Sequence, residues 1–521
     1  MTATAQRFFN LTSDEVSVDS MLPQFSYSVP LEGAFADSVY SSMILYPEFI
    51  DMTQEDIAHY HRLSADSLPA LPRVEQHLVL SRKKGSLEVS FCPLVYREGR
   101  YQILVSFMLR IDSKALPRAK RMAPGPRGTA EASRYADHSV LASGTWAKIR
   151  VPSTGVYQLT ESFIRQAGFS NLSKVKVYGY GGNLQNEKLV GDELRATDDL
   201  HEVPTYAAGN RRLFYARGPV SWENNTATRR TRNPYSDYGY YFLTETDAEP
   251  QMVDSAAFLS SFYPSPDDYH SLYEKDGYSW YPGGRNLFDP DPIHYGKSKE
   301  VVFNNRTGAT SGRLTVSVSA GSNSRATVFF NGKQVGELYV SLGSYDKGNS
   351  ATATYNLSGL TASDTVSVRC VLGDPIRLDY VSMAWDKPAP APSLAAQFAT
   401  PEYVYHITNQ DHHADAAADM IIIIPTSQKL LKQAQRLAAF HEQHDAMRVR
   451  IVPADELFNE FSSGTPDANA YRRYLKMLYD RAETDADMPR YLLLFGDCVW
   501  DNRMLTSECA NLNPDDYLLC F

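Results

Sequence analysis

The stretch that most constrains the fold runs from Met420 to Cys520 and alternates short apolar runs with helix patterns. It opens with four isoleucines, Ile421 to Ile424, and two more apolar runs follow at Val449–Val452 and Tyr491–Phe495. This order predicts a parallel β-sheet covered by helices, the second of them from Asn469 to Ala482. Because such sheets place their chemistry beyond the carboxyl ends of the strands, we expect a site near Gly496-Asp497, which ends the third run.

A chain of 521 residues is too long for one hydrophobic core, so roughly two to four domains are expected. The formal net charge of −10 argues against a nucleic-acid partner, whose phosphates need a basic face. No apolar run is long enough to predict a membrane span, and Met1 to Asn10 lack the pattern of a signal peptide. The sequence therefore indicates either a cytoplasmic protein or a start that lies outside this chain.

Alternating apolar and polar residues predict that the chain before Met420 is rich in β-strands. The clearest sandwich signal is the Asn331-Gly332 turn between Val328–Phe330 and Val335–Val340, because this dipeptide favours a tight hairpin. The expected segments are an N-terminal β-rich domain at 1–112, a basic Pro/Gly linker at 113–143, a second β-rich domain at 144–296, a β-sandwich-like domain at 297–386, a Pro/Ala linker and lead-in at 387–418, and the start of an α/β domain at 419–521.

Two histidine-containing stretches hold metal-ligand residue types. The segment His406–Asp419 has no recognised ligand spacing, so a polar lead-in to the first parallel strand is the better interpretation. His441 and His444 are three residues apart, whereas a zinc protease helix needs them four apart with a glutamate beside the first. A metallohydrolase that uses these two histidines is therefore a weak third hypothesis.

Five cysteines, an odd and sparse set, predict no disulfide framework. Cys498 could pair with Cys509 in an oxidising compartment. Cys498 also follows a predicted buried strand, where it could be a nucleophile or a passive thiol. The Gly179–Gly182 cluster lacks the spacing of a phosphate loop and is interpreted as an ordinary loop.

Several runs near the end of the chain are similar to one known family. They are Met420-IIIIPTS, Leu431-KQAQRLAAFHEQHD, Glu460-FSSG, Leu475-KMLYDRA, Phe495-GDCVWDNR and Asp515-Asp516-Tyr517. These runs resemble the opening of the gingipain-type cysteine peptidase domain, and among such proteins the sortases of the type IX secretion system. The motif residues are Gly496, Asp497, Asp501, Asn502, Asp515, Asp516 and Tyr517.

The resemblance implies β-rich N-terminal domains followed by the start of a caspase-like α/β domain. It implies a cell-surface hydrolase of the Bacteroidetes outer membrane that removes the C-terminal secretion signal from cargo proteins and transfers the new carboxyl end of the cargo to lipopolysaccharide. The chemistry would be acyl transfer through a cysteine thioester, with a histidine base and an oxyanion site. The implied partners are cargo proteins and the outer-membrane barrel protein PorV, and calcium is the only cofactor that the resemblance implies.

In that family the catalytic histidine and cysteine come well after this strand, so we expect both to lie beyond Phe521. The peptidase domain at 419–521 would then be incomplete, and this fragment would be inactive by itself. The alternative is a non-enzymatic cell-surface β-domain protein that binds cargo or scaffold proteins.

Overall fold

A computed structural model describes residues 2–31, 35, 38–64, 67–81, 84–115, 134–189, 192–283 and 285–520. The chain divides into two compact units, 1–127 and 128–521. Most of the predicted basic linker, residues 116–133, lies outside the described residues. No helix within the described ranges is long and apolar enough to cross a membrane.

The N-terminal unit is a pair of antiparallel sheets with a core between them. One sheet has the order β1-β7-β3 with β6 on β7, and the other has the order β2-β5-β4. The core contains Val89 and Phe91 of one sheet and Phe107 and Leu109 of the other. The elements are β1 (Thr2–Asn10), α1 (Ser13–Val16), β2 (Phe25–Leu31), β3 (Ser38–Asp51), α2 (Gln54–Leu63), β4 (Glu75–Ser81), β5 (Lys84–Phe91), β6 (Leu94–Arg97) and β7 (Arg100–Ala115).

The C-terminal unit begins with a second β-rich region, built on the sheets β10-β15-β8-β24 and β11-β12-β9. Its elements are β8 (Ala147–Val151), β9 (Gly155–Thr160), α3 (Glu161–Gln166), β10 (Val175–Tyr178), α4 (Asp192–Ala196), β11 (Tyr206–Ala208), β12 (Arg211–Ala216), β13 (Val220–Trp222), β14 (Arg230–Arg232), β15 (Gly239–Glu245) and α5 (Ser255–Ser260). Strand β24 (Glu402–His406) comes from the segment that the sequence assigned to a linker, and it pairs with β8.

A β-sandwich follows, as its alternation predicted. Two four-stranded sheets, β16-β23-β18-β21 and β17-β22-β19-β20, enclose one apolar core. Asn331 and Gly332 have φ of 48° and 80°, which is the left-handed conformation that a two-residue hairpin turn requires. The strands are β16 (His270–Glu274), β17 (Ser298–Asn304), β18 (Ser311–Ala320), β19 (Ser324–Phe330), β20 (Lys333–Val340), β21 (Asn349–Ser358), β22 (Ser363–Leu372) and β23 (Ile376–Trp385).

The chain ends in the predicted parallel sheet, in the order β26-β25-β27. Ile421 and Ile423 face a core formed with α7 and α8, whereas Ile422 and Ile424 face α6. A strand covered on both faces explains four isoleucines in a row. The elements are β25 (Met420–Ile424), α6 (Leu431–His444), β26 (Val449–Pro453), α7 (Ala454–Phe461), α8 (Asn469–Arg481) and β27 (Tyr491–Leu494).

Helix α7 is a correction to the sequence analysis, which placed a single helix between the second and third parallel strands. It begins directly after β26, with no loop to mark the change of period. Leu457, Phe458 and Phe461 face the core, but Asn459 and Glu460 are buried as well. Its apolar residues do have the period of a covering helix, at Ala454, Leu457, Phe458 and Phe461, but the helix has only eight residues and follows the strand directly.

The carboxylate of Glu460 joins α7 to the segment that leads into the sheet. It accepts hydrogen bonds from the backbone N–H groups of His412 (2.8 Å) and His413 (3.1 Å) and pairs with Nδ1 of His413 at 2.7 Å. The imidazole of His412 lies between Asp415 and Glu456, at 2.9 and 2.7 Å. These histidines therefore serve as hydrogen-bond partners of buried carboxylates, and no group of three candidate metal-ligand side chains occurs in the described part of the chain.

Burial alone would lower the pKa of His413, but its contacts with Asp198 and Glu460 outweigh burial and raise the pKa to about 10. Because the pKa of His413 is higher in the folded state, protonated His413 stabilises the folded state fully when the pH is below its unfolded-state pKa of about 6.5. This stabilisation disappears as the pH rises through about 10. We expect His413→Gln to lower the free energy of unfolding of the C-terminal unit by about 3 kcal/mol near pH 6, because Glu460 keeps its buried charge without its partner.

The difference between His413→Gln and the unsubstituted protein should shrink toward alkaline pH, and denaturant unfolding across a pH series measures it. His441→Gln is the matched control, since His441 pairs with the exposed Asp445. A pH-independent difference would show that the cluster is not held by a protonated imidazole.

Candidate functional site

A cleft of about 560 Å³ opens at the carboxyl ends of the three parallel strands. Thr426, Asp455 and Val499 follow β25, β26 and β27 respectively and line one wall. The opposite wall comes from β8, β15, β24 and the segment before β15, and its residues are Lys148, Arg150, Tyr238, Tyr240, Val404 and Tyr405. The cleft therefore occupies the position where the strand order predicted a site, and the second β-rich region closes it.

Lys148 is a buried cation in this wall, and the sequence analysis missed it. Its Nζ donates to Oδ1 of Asn459 at 3.0 Å and lies 4.8 Å from the centre of the Tyr240 ring. Burial lowers its pKa to about 8, although the carboxylates of Asp455 and Asp515 act in the opposite direction. An ammonium in such surroundings is stabilised by neighbouring carboxylates and aromatic faces rather than by water.

Asp455 and Asp515 supply negative charge on the other side of the cleft. Oδ1 of Asp455 is buried with no hydrogen-bond partner, and burial raises the pKa of this carboxyl group against the effect of Lys148. The backbone of Asp515 is fixed, because its carbonyl accepts from the Ser427 N–H at 2.8 Å. The cleft thus presents two carboxyl groups to one ammonium group, an arrangement that can accept hydrogen bonds from a cationic ligand.

The seven motif residues divide into two groups. Asn502, Asp515 and Tyr517 line the cleft, whereas Gly496, Asp497, Asp501 and Asp516 do not. Asp501 is 3% exposed and holds a turn, accepting from the N–H groups of Leu505 (2.8 Å) and Thr506 (2.7 Å). Asp516 pairs with Lys429 at 2.6 Å. Some motif residues therefore have a structural role and others line the cleft, and the sequence could not tell the two groups apart.

Cys498 has no histidine partner among the described residues. Partial desolvation, the Cys520 thiol and Asp497 raise its pKa, which disfavours the thiolate that a nucleophile needs. The suggested pairing of Cys498 with Cys509 is not formed in this structure. Cys509 is buried, all five thiols are free, and the thiol beside Cys498 is that of Cys520.

The two histidines at the end of α6 make separate local contacts. Nδ1 of His441 pairs with Oδ2 of Asp445 at 2.7 Å, and the ring of His444 stacks on Phe440 with centroids 4.5 Å apart. These contacts are those of an ordinary helix end, where histidine also suits the helix dipole.

The Gly179–Gly182 loop contacts the turn that follows α7. Oγ of Ser463 accepts from the N–H groups of Tyr180 (2.9 Å) and Gly181 (3.2 Å) and donates to the Tyr240 carbonyl at 3.0 Å. A Cβ atom on Gly179 would lie 2.6 Å from this oxygen, so glycine is required for the close approach. The contact aligns the two walls of the cleft.

Residues 413–519 match the profile of Peptidase family C25. The end of the chain is therefore a segment of a gingipain-type cysteine peptidase domain. Three quarters of the chain is similar to PorU: dimeric latent PorU from Porphyromonas gingivalis is 27% identical, with a TM-score of 0.61 over 75% of this chain and 46% of that one. This chain thus spans less than half the length of the solved PorU chain.

Weaker likenesses cover about a quarter of the chain. A family 35 carbohydrate binding module from an environmental isolate is 17% identical, with a TM-score of 0.18 over 23% of this chain and 91% of that one. A CBM35 from Cellvibrio japonicus Abf62 is 14% identical, with a TM-score of 0.18 over 24% of this chain and 99% of that one. No curated protein sequence matches the chain.

The division of the motif residues predicts unequal effects of neutralising two aspartates. Asp501→Ala should lower the free energy of unfolding by about 2 kcal/mol, because it leaves buried N–H donors without an acceptor. Asp516→Ala should cost much less, since its partner Lys429 is exposed and water screens the pair. Denaturant unfolding of both variants measures the difference, and equal losses would contradict a structural role specific to Asp501.

Proposed function

We propose that this chain is the N-terminal part of a type IX secretion sortase-like cysteine peptidase and that the cleft receives the peptide substrate. The observation that carries the proposal is the position of the cleft, at the carboxyl ends of the strands of the C25 segment. The similarity to PorU supports the class of enzyme. The substrates would be cargo proteins with C-terminal secretion signals, handled at the cell surface together with PorV and a lipopolysaccharide acceptor.

In this proposal the second β-rich region forms part of the substrate site. An extended peptide would lie between the aromatic wall of Tyr238, Tyr240 and Tyr405 and the carboxyl groups of Asp455 and Asp515. The two carboxyl groups favour a basic side chain on the peptide, because an opposite charge attracts both of them and offsets the cost of the burial of Asp455. Lys148 would keep the unoccupied cleft from accumulating uncompensated negative charge.

The described residues do not by themselves account for the covalent chemistry of such an enzyme. No described histidine contacts Cys498, so the described residues supply no cysteine–histidine pair that could form a thioester. Calcium, which the resemblance implies, stays a prediction; the described residues assemble no group of three His, Cys, Asp or Glu side chains. No step of the proposal depends on a metal.

Peptide binding tests the proposal. The probe is a fluorescent peptide that spans the junction between a cargo protein and its C-terminal signal and carries one lysine. We expect Asp515→Asn to weaken binding about tenfold, equivalent to about 1.4 kcal/mol, because the lysine loses a charged acceptor. Fluorescence anisotropy measures the dissociation constant.

Asp516→Asn is the matched control, since this neighbouring carboxylate contacts Lys429 and does not line the cleft. A peptide with norleucine in place of lysine should bind weakly and be insensitive to Asp515→Asn. Equal effects of the two aspartate substitutions would show that the cleft is not the peptide site. No binding by the unsubstituted chain would contradict the proposal.

Hydrolysis of the same peptide tests where the catalytic pair lies. We expect the chain alone to release no product, because its described residues assemble no activated thiol. Chromatography of the reaction mixture measures product. Hydrolysis that disappears in Cys498→Ser would contradict the proposal and place the nucleophile at Cys498.

A further inference from the structure

Two chain segments lie side by side next to the cleft. The first follows β27 and contains Cys498, and the second contains Leu518 and Cys520. The Leu518 N–H donates to the Asp497 carbonyl at 2.9 Å, and Cys498 and Leu518 form a parallel β-bridge. These backbone contacts bring two cysteines that are far apart in sequence onto neighbouring segments.

Asn502 fixes the second cysteine from both sides. Its Nδ2 donates to the Cys520 carbonyl at 2.9 Å, and its Oδ1 accepts from the Cys520 N–H at 2.8 Å. With its backbone held in this way, Cys520 has its thiol beside that of Cys498, and this neighbouring thiol contributes to the raised pKa of Cys498. Cys498 is exposed and Cys520 is half-buried, so a reagent in solution can reach the pair.

We propose that Cys498 and Cys520 are a disulfide-forming pair that cross-links the two segments at the edge of the cleft. Both segments contribute to its lining, the first through Val499 and Asn502 and the second through Leu518 and Leu519. The cross-link would therefore hold this part of the cleft in one arrangement. The inference stands on the placement of the two thiols and does not require that the cleft binds a peptide.

The oxidant would be a low-molecular-weight disulfide. The Cys498 thiolate attacks one sulfur of that disulfide, forming a mixed disulfide and releasing one small thiol. The Cys520 thiolate then attacks the Cys498 sulfur and displaces the second small thiol. The two protein thiols lose two electrons and two protons, and the small disulfide becomes two thiols. Since the pKa of Cys498 is raised, the first step should accelerate as pH rises above neutrality.

Peptide mapping tests the pairing. The folded protein is incubated with oxidised glutathione, free thiols are blocked with an alkylating reagent, and trypsin is added. Cleavage after Arg490 and Arg503 separates the Cys498 peptide from the peptide that begins at Met504 and contains Cys509 and Cys520. We expect the two peptides to remain joined, and to separate after reduction.

Single substitutions then assign the partner. Cys520→Ser should abolish the joined peptides, whereas Cys509→Ser should leave them unchanged. Asn502→Ala should slow closure of the mixed disulfide several-fold, because Cys520 loses both of its backbone contacts. Protein unfolded before oxidation is the control for selectivity, and it should give mixed pairings.

Three outcomes would overturn the inference. They are recovery of all five thiols as alkylated cysteines, loss of the joined peptides in Cys509→Ser but not in Cys520→Ser, and a persistent glutathione adduct on Cys498 with Cys520 still free. Circular dichroism of each variant before oxidation establishes that it is folded, so that a missing cross-link reports on the pair itself.

Discussion

The cleft depends on the buried carboxylate of Glu460. A buried charge is costly unless its acceptor sites are filled, and Glu460 is filled by Gln410, by two backbone N–H groups and by the His413 ring. These contacts require the segment before β25 to lie against α7. The Glu460 contacts thereby fix the C-terminal turn of α7, the helix that carries Asp455 at its start and the Ser462–Gly464 turn at its end.

The turn after α7 transmits this constraint to the second β-rich region. Gly464 has a φ of 72°, and a Cβ atom there would lie 2.7 Å from the Phe242 ring, so the backbone approaches as closely as a side-chain-free residue allows. Ser463 occupies the glycine loop at 179–182. The Glu460-FSSG run, which contributes to the family likeness, thus has a physical role: it holds the two walls of the cleft in register.

Local patterns predicted much of the fold. The Asn331-Gly332 hairpin, helix α2 and the three parallel strands each follow from a turn preference or a hydrophobic period that involves only near neighbours. Helix α7 has the helical period but was missed because it has only eight residues and no loop separates it from β26. Strand β24 was missed because a proline-rich stretch precedes it and its partner, β8, lies far upstream. Strand pairing across such a separation leaves no periodic signal.

The sequence by itself determined the location of the site, since the strand order shows at which edge of the sheet the carboxyl ends of the strands lie. The motif residues that it named include Asn502, Asp515 and Tyr517, which line the cleft. Only the tertiary structure decided the rest. Lys148 contacts Asn459 across 311 positions, and Cys498 meets Cys520 rather than Cys509. The physical reason is that secondary structure arises from hydrogen bonds and packing between near neighbours, whereas the charge balance of a cleft is set by side chains that meet only after distant segments have packed together.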